Sequence, residues 1–309
     1  MSISKIKSVF ENVATCDAWS LQLLQIKKSK RNGTTYCGRE ITLSPEGTLT
    51  NFLTEISDRY CSQEKGLEKM FESVTDYDGS IVDKTIYKLT TDNELISTEY
   101  PSFVEAIGNP DSEVDPLEFS TQAYLLKGVI SICGEELSIK MISMQNPVTS
   151  LKHKFLCAYG TFTEISDKVI SLRTAIDVVI IENTVYMLTL AGENLFNMER
   201  AYKSVCEKQT TNIIDSNIIN DAEAFSSIAS CGHNPRKFVS FNESHLQKLK
   251  NTNSRKKMSK KFSIPLDGDK FDMSQPGAAD KLVKLLCDRG MVDPFDDNPM
   301  EVSSSKKWE

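Results

Sequence analysis

The stretch Leu172–Val205, LRTAIDVVIIENTVYMLTLAGENLFNMERAYKSV, carries a strand, a tight turn, a second strand and a helix in immediate succession. Val178-Val179-Ile180-Ile181 is an unbroken β-branched run, the composition of a strand covered on both faces. Glu182-Asn183-Thr184 interrupts it with polar residues. Val185, Met187 and Thr189 then alternate with Tyr186, Leu188 and Leu190, which is the two-residue period of a second strand. So short a connection cannot form a parallel crossover, so the strands are expected to be antiparallel neighbours. After Gly192, Asn194 is the expected helix N-cap, with Leu195, Met198, Tyr202 and Val205 on one face at spacings of three and four. The stretch predicts a ββα unit at the centre of the fold.

Upstream of that unit, Ile3, Ile6, Phe10 and Val13 have helical spacing, so an amphipathic helix is expected over residues 3–13. Trp19–Ile26 and Tyr36–Leu43 read as strands joined by a hairpin whose end carries Lys27, Lys28, Lys30, Arg31 and the turn pair Asn32-Gly33. A helix follows Pro45-Glu46-Gly47 with Leu49, Phe52, Leu53, Ile56 and Tyr60 on one side. A strand is expected over Ile81–Leu89, and a short helix after Pro101. Residues 109–118 are acidic and loop-like, with Pro110 and Pro116, and mark the expected domain boundary. Beyond it, Ala123–Ile132 and Glu136–Met144 read as a hairpin around Gly134. Asn146-Pro147 ends it, and Phe155–Phe162 reads as one further strand.

Downstream, Ala222–Ala229 and Ser244–Leu249 have helical character. Phe262, Ile264 and Leu266 alternate into a strand before the turn Asp267-Gly268-Asp269. Leu282, Val283, Leu285 and Leu286 belong to a helix expected to end at Gly290. The tail after Pro294 is polar, with Trp308 as its one anchor. Hairpins outnumber βαβ units, so the expected class is α+β with mixed or antiparallel sheets and flanking helices. Two subdomains are expected, residues 1–118 and 119–309.

The pattern of Leu172-Arg173, Asp177 before its apolar run, Val185-Tyr186-Met187, and Asn194-Leu195-Phe196 opening a helix with Glu199 and Tyr202 resembles the family that contains KwaB. That family supplies one component of the two-gene Kiwa anti-phage defence system. The resemblance is clearest over roughly residues 120 to 290; at the helix start, Phe196-Asn197 and Met198-Glu199 stand where the family pattern has an aromatic-acidic pair. It implies a DNA-binding effector that works with a separate membrane partner, KwaA. The helix at residues 3–13 is a candidate surface for that partner, weighed against a place in the core.

Composition sets limits on such a function. A chain of 309 residues with 39% hydrophobic and 26% charged residues is that of an ordinary globular protein. Its net charge of −7 means that any nucleic-acid binding must use a local patch. Eight cysteines without a Cys-x-x-Cys pair are expected to be reduced thiols of a cytoplasmic protein lacking a secretory signal. No apolar run approaches the roughly 20 residues that span a bilayer, so a membrane would be reached through a partner.

Catalytic signatures are sparse. Restriction-type nucleases place an acidic residue on one strand and an acidic-x-lysine on the next, so that carboxylates hold Mg²⁺ and lysine activates water. Asp177 could begin such a set and Glu182 could join it, yet no Glu-x-Lys or Asp-x-Lys tripeptide occurs in the 309 residues. A metal-dependent nuclease therefore stands as the rival reading. None of the 14 glycines precedes a lysine, which removes the P-loop. Three histidines, at 153, 233 and 245, leave few pairs for nucleophilic catalysis. Cys231-Gly232-His233 offers two zinc ligands of the four needed, and the nearest other cysteine is Cys206. Asp267, Asp269 and Asp272 lack the glycine and glutamate spacing of a calcium loop. No catalytic residue, metal, cofactor or small-molecule substrate is expected.

The most unusual composition lies between Ser244 and Leu266. Lys248, Lys250, Arg255, Lys256, Lys257, Lys260 and Lys261 stand there with no acidic residue, and Asn251, Asn253, Ser254 and Ser259 add hydrogen-bonding groups. Such residues neutralise phosphates and fix register on a backbone without reading bases. Arg236 and Lys237 could extend the patch, and a solvated loop is the alternative. Taken with this patch, the family resemblance implies a non-catalytic, homo-oligomeric effector that binds double-stranded DNA and limits phage replication or expression, brought to the inner membrane by a KwaA-like partner.

Overall fold

In the computed structural model of this chain, residues 3–15, 19–29, 33–111, 120–145, 148–150, 154–158, 161–165, 168–293, 295–296 and 298–302 are described. Lys30, Arg31, Asn32, most of the acidic stretch 109–118, Asn146-Pro147, His153, Cys16 and Trp308 lie outside them. The chain forms two compact units, Met1–Asp76 with Lys84–Met198, and Tyr77–Asp83 with Glu199–Glu309.

The first unit contains α1 (Ile3–Asn12), β1 (Ser20–Ser29), β2 (Gly33–Ile41), α2 (Thr48–Cys61), α3 (Leu67–Met70), β3 (Ser73–Asp76), β4 (Thr85–Thr90) and α4 (Tyr100–Gly108). It continues with β5 (Ala123–Ile132), β6 (Glu135–Ser143), β7 (Val148–Ser150), β8 (Lys154–Ala158), β9 (Thr161–Ile165), β10 (Lys168–Ile170), β11 (Val178–Ile181), β12 (Thr184–Met187) and α5 (Gly192–Leu195). Eight strands make one sheet in the order β2-β1-β5-β6-β11-β12-β4-β3, antiparallel except where β3 runs parallel to β4. Small pairs β7–β10 and β8–β9 lie between β6 and β11 in sequence, so the single strand expected at 155–162 is a hairpin instead. The expected division at residue 118 does not separate the compact units. Strands from both sides of it share the sheet, with β5, β6, β11 and β12 in the middle and β1–β4 at its two edges.

The ββ part of the organising stretch forms as its pattern dictates. β11 is buried along its whole length and pairs with β6 on one side and β12 on the other. Its alternation sends Val179 and Ile181 into a core with Tyr186, Leu126, Met141 and the helices α1 and α2. Val178 faces the opposite way with Met187, close against Gly192 of α5. On that second face α4 crosses β2 so tightly that a Cβ at Gly38 would meet the Ala106 carbonyl at 2.8 Å. The candidate partner helix is core: Ile6, Val9 and Phe10 of α1, and Val13 just after it, are fully buried. The helix expected from Asn194 is broken in two, because Asn197 takes a left-handed φ of 50° between α5 and α6 (Met198–Asp215). The strand expected from Ile81 begins only at Thr85, leaving Ile81 exposed.

The second unit continues α6 with α7 (Ala222–Ala229), α8 (Asn234–Lys237), α9 (Glu243–Leu249), α10 (Thr252–Phe262), β13 (Leu266–Asp267), β14 (Lys270–Phe271), α11 (Ala278–Leu286), β15 (Gly290–Val292) and β16 (Pro299–Glu301). Its core gathers Ile213, Phe225, Phe238, Leu246, Phe262, Phe271 and the apolar side of α11. α11 ends at Leu286 rather than Gly290, since Asp288 adopts a φ of 53° and Arg289 returns its N–H to the Lys284 carbonyl at 2.8 Å. The segment Tyr77–Asp83 is held here by Arg289, which is buried and donates to the Asp78 carbonyl at 2.9 Å.

Two expectations follow from this packing. The Tyr60 hydroxyl accepts from Ile176 N at 2.7 Å and donates to Ile176 O at 3.1 Å, while its ring stacks on Phe10. Tyr60→Phe leaves both backbone groups buried without that partner and should cost about 1–3 kcal/mol, read as a lowered urea midpoint. In the second unit, Glu301 of β16 bridges Lys284 at 2.9 Å and Lys237 at 3.0 Å. Partial burial alone would raise its carboxyl, but the two lysines outweigh burial and hold it below the usual 4.5. A depressed carboxyl stabilises above its unfolded value and ceases to as pH falls through the folded one. Hydrogen-exchange protection factors of residues 290–302, taken against the intrinsic rate at each pH, should therefore fall below about pH 4.5 in the native chain, and Glu301→Gln should remove that dependence.

Candidate nucleic-acid interface

The cationic segment is a helix rather than a solvated loop. Asn251 caps α10 through its side-chain oxygen, which accepts from Asn253 N at 2.9 Å and Ser254 N at 3.2 Å. Lysine and methionine favour the helix interior, and Lys260 and Lys261 sit at the C-terminal end, where the dipole favours cations. Ser263 ends it with a φ of 51°, so the strand expected from Phe262 shrinks to Leu266–Asp267. Asn242 caps the preceding α9 in the same way, accepting from Ser244 N at 3.1 Å. Only Lys250 and Asn251 join the two helices.

Arg255 must be removed from the expected phosphate-contacting set. Only 8% of it is exposed. Its guanidinium donates to the carbonyls of Leu249 at 2.8 Å, Lys250 at 2.9 Å and Asp269 at 2.5 Å, and to Thr252 Oγ1 at 3.0 Å. Leu249 is the last residue of α9 and Lys250 its C-cap, so one side chain clamps the end of α9 to α10 and to the β13–β14 turn. The planar, multiply donating guanidinium suits this task and an ammonium does not. Met258 and Phe262 pack inward with it.

The six lysines behave differently. Lys248, Lys250, Lys256, Lys257, Lys260 and Lys261 are all exposed. Lys256 and Lys260, and Lys257 and Lys261, are like-charge neighbours one turn apart, an arrangement that weakens an isolated helix by about 0.2–0.5 kcal/mol per pair. Asp269 lies 3.3 Å from Lys256, with both side chains some 60% exposed, so the pairing is weak. Arg236 and Lys237 do not extend the face. Arg236 lies over the rings of Tyr77 and Tyr202, and Lys237 is bound to Glu301. In the first unit, Lys27 and Lys28 are exposed at the β1–β2 hairpin.

The residues weighed for metal chemistry have structural employment. Asp177 Oδ2 accepts from Met144 N at 2.7 Å and Oδ1 from Thr189 Oγ1 at 2.5 Å. Glu182 Oε1 accepts from Ser138 N at 2.5 Å. The two acids stand at opposite ends of β11, about 16 Å apart along an extended strand, too far to share one cation. Cys206 is buried and donates to the Ala229 carbonyl, while Cys231 and His233 are exposed. Asp272 accepts from Ser274 and Asn220, and Asn220 also reaches Asp267. His245 sits 3.1 Å from Asp288. Among the described residues, no group of three or more His, Cys, Asp or Glu side chains could hold a metal ion.

The cation run was read from sequence; its helix and cap were missed, although Asn251 opening Asn-Thr-Asn-Ser before a stretch of helix formers carries that signal. The partition of the run was not legible, because which cation turns inward depends on the carbonyls that close around it. Among the described residues, no helix is long and apolar enough to cross a membrane. Comparison with protein families matches residues 138–292 to the family described as Kiwa protein KwaB-like. No curated protein and no solved structure matches the chain.

Arg255 and the lysines should separate experimentally. Arg255→Ala leaves three carbonyls without their donor and is expected to destabilise the protein by about 2–4 kcal/mol. Joint replacement of Lys256, Lys257, Lys260 and Lys261 by Ala should leave stability unchanged or slightly raised. Thermal unfolding of the two variants beside wild type checks both.

Proposed function

The chain belongs to the KwaB-like family and is thereby a component of Kiwa anti-phage defence, and on that premise we propose that it is a non-catalytic effector that binds double-stranded DNA through α10. The observation that carries this reading is the capped helix with Lys256, Lys257, Lys260 and Lys261 exposed and with Lys248 and Lys250 beside its start. Cations on such a surface release condensed counterions from the phosphate backbone, which supplies affinity without sequence readout. The overall charge of −7 repels DNA elsewhere and confines binding to this face.

Action by occupancy, limiting phage DNA replication or expression, follows from binding without cutting. The nuclease alternative finds little support in Asp177 and Glu182, whose oxygens accept from backbone and hydroxyl groups at opposite ends of β11. A homo-oligomer multiplies a modest patch through effective concentration. A membrane protein resembling KwaA completes the assembly and holds a cytoplasmic effector at the inner membrane.

The test is fluorescence anisotropy of a labelled DNA duplex across a salt series. Wild type should bind with a steep salt dependence. The variant lacking the four α10 lysines should lose about 3 to 4 from the slope of log K against log salt, and most of its affinity. Equal binding by the two proteins would place the DNA elsewhere. Intact DNA after long incubation with Mg²⁺ or Mn²⁺, and binding retained in EDTA, is the expected result for a protein without nuclease activity.

A further inference from the structure

Beyond phosphate attraction, and resting on duplex DNA as the ligand of α10, we infer that this helix lies lengthwise in the major groove and so accepts B-form DNA while refusing A-form RNA. The first argument is angular. At about 100° per residue, the exposed positions of α10 fan over an arc of about 140°, with Lys256 at one margin and Lys261 at the other. Asn253, Lys257 and Lys260 fill the interval, and Asn253 is near its midline. Arg255, Met258 and Phe262 occupy the opposite side, facing the protein. A helix resting on one row of phosphates needs cations along a single line. Cations on both margins, with an amide between them, match a channel that has phosphates on two walls and base edges on its floor.

The second argument is size and stiffness. A helix of about 10–12 Å diameter enters the roughly 12 Å major groove of B-form DNA, whereas the deep, narrow major groove of A-form RNA excludes it. Entry requires a helix that holds its angle, and Arg255 supplies this by bonding the last carbonyls of α9 and a hydroxyl in the first turn of α10. Two short helices joined by a tight turn, the second presented outward, is the arrangement by which paired-helix modules reach the groove. Lys248 and Lys250 flank the start of α10, where they meet the backbone at the groove's rim. Single strands are a poor match, since residues 248–261 contain no aromatic side chain on which bases could stack.

The experiment uses the full chain and competition anisotropy at one fixed low salt concentration, with duplexes of identical sequence. The competitors are DNA, RNA, DNA saturated with the minor-groove ligand distamycin, and DNA whose cytosines carry a glucosyloxymethyl group at C5, a neutral bulk in the major groove. RNA and the glucosylated duplex should compete at least about tenfold more weakly than plain DNA, and distamycin should change competition by less than about twofold. RNA competing as well as DNA, glucosylated DNA competing as well as plain DNA, or distamycin abolishing competition would each overturn groove docking while leaving DNA binding intact. Failure of every duplex to bind would overturn the DNA reading itself, a separate and recognisable result.

Discussion

The first unit depends on the burial of Val178-Val179-Ile180-Ile181 between two other strands. Four consecutive β-branched residues have no polar side, so both faces of this strand must be covered and both edges paired. β6 and β12 supply the edges; α1 and α2 cover one face, and α5 meets the other through Gly192. The acids at the two ends finish the work that hydrophobic burial cannot do. Asp177 and Glu182 accept from backbone N–H groups of Met144 and Ser138, which lie beyond the two ends of the β6 segment, 139–142, that pairs with β11. Carboxylates that look like metal ligands in sequence are thus consumed by the strand they bracket.

The second unit is governed by a different economy, that of carbonyls at helix ends. Where α9 stops, its last carbonyls have no helical partners, and the chain must turn at once into α10. Arg255 reaches back to satisfy Leu249 and Lys250 and forward to Asp269. Its donors are spent inside the protein, and the lysines around it are left outward. A cationic run thereby divides into a clamp and a contact surface. The same clamp lets a row of mutually repelling lysines remain on a defined helix.

That division bears on the contact with DNA proposed for this acidic protein. Screening at physiological salt limits charge effects to about 8 Å, so the lysines of α10 act on what touches them and the acidic surplus discourages contact elsewhere. The DNA affinity proposed for such a surface is modest and salt-sensitive. Kiwa membership supplies the biological setting. In the proposed function, α10 supplies the contact with DNA.

Much of the architecture is local physics and was readable in order. The β11–β12 pair, the β5–β6 hairpin around Gly134, the helices behind Gly47 and Pro101, and α7 all follow from periodicity and turn residues, because their hydrogen bonds close within a few residues. The α+β class follows as well. The mixed membership of the sheet does not, since β4 pairs with β12 across nearly a hundred residues and no local pattern specifies that partner. The break at Asn197 escaped because a helical stripe reads through a single residue that takes a left-handed φ between buried Phe196 and Met198. The candidate surface shows the same boundary. Sequence alone determined that seven cations stand together without an acid; only tertiary structure decided that Arg255 turns inward, because an unpaired carbonyl seeks its donor through space and not along the chain.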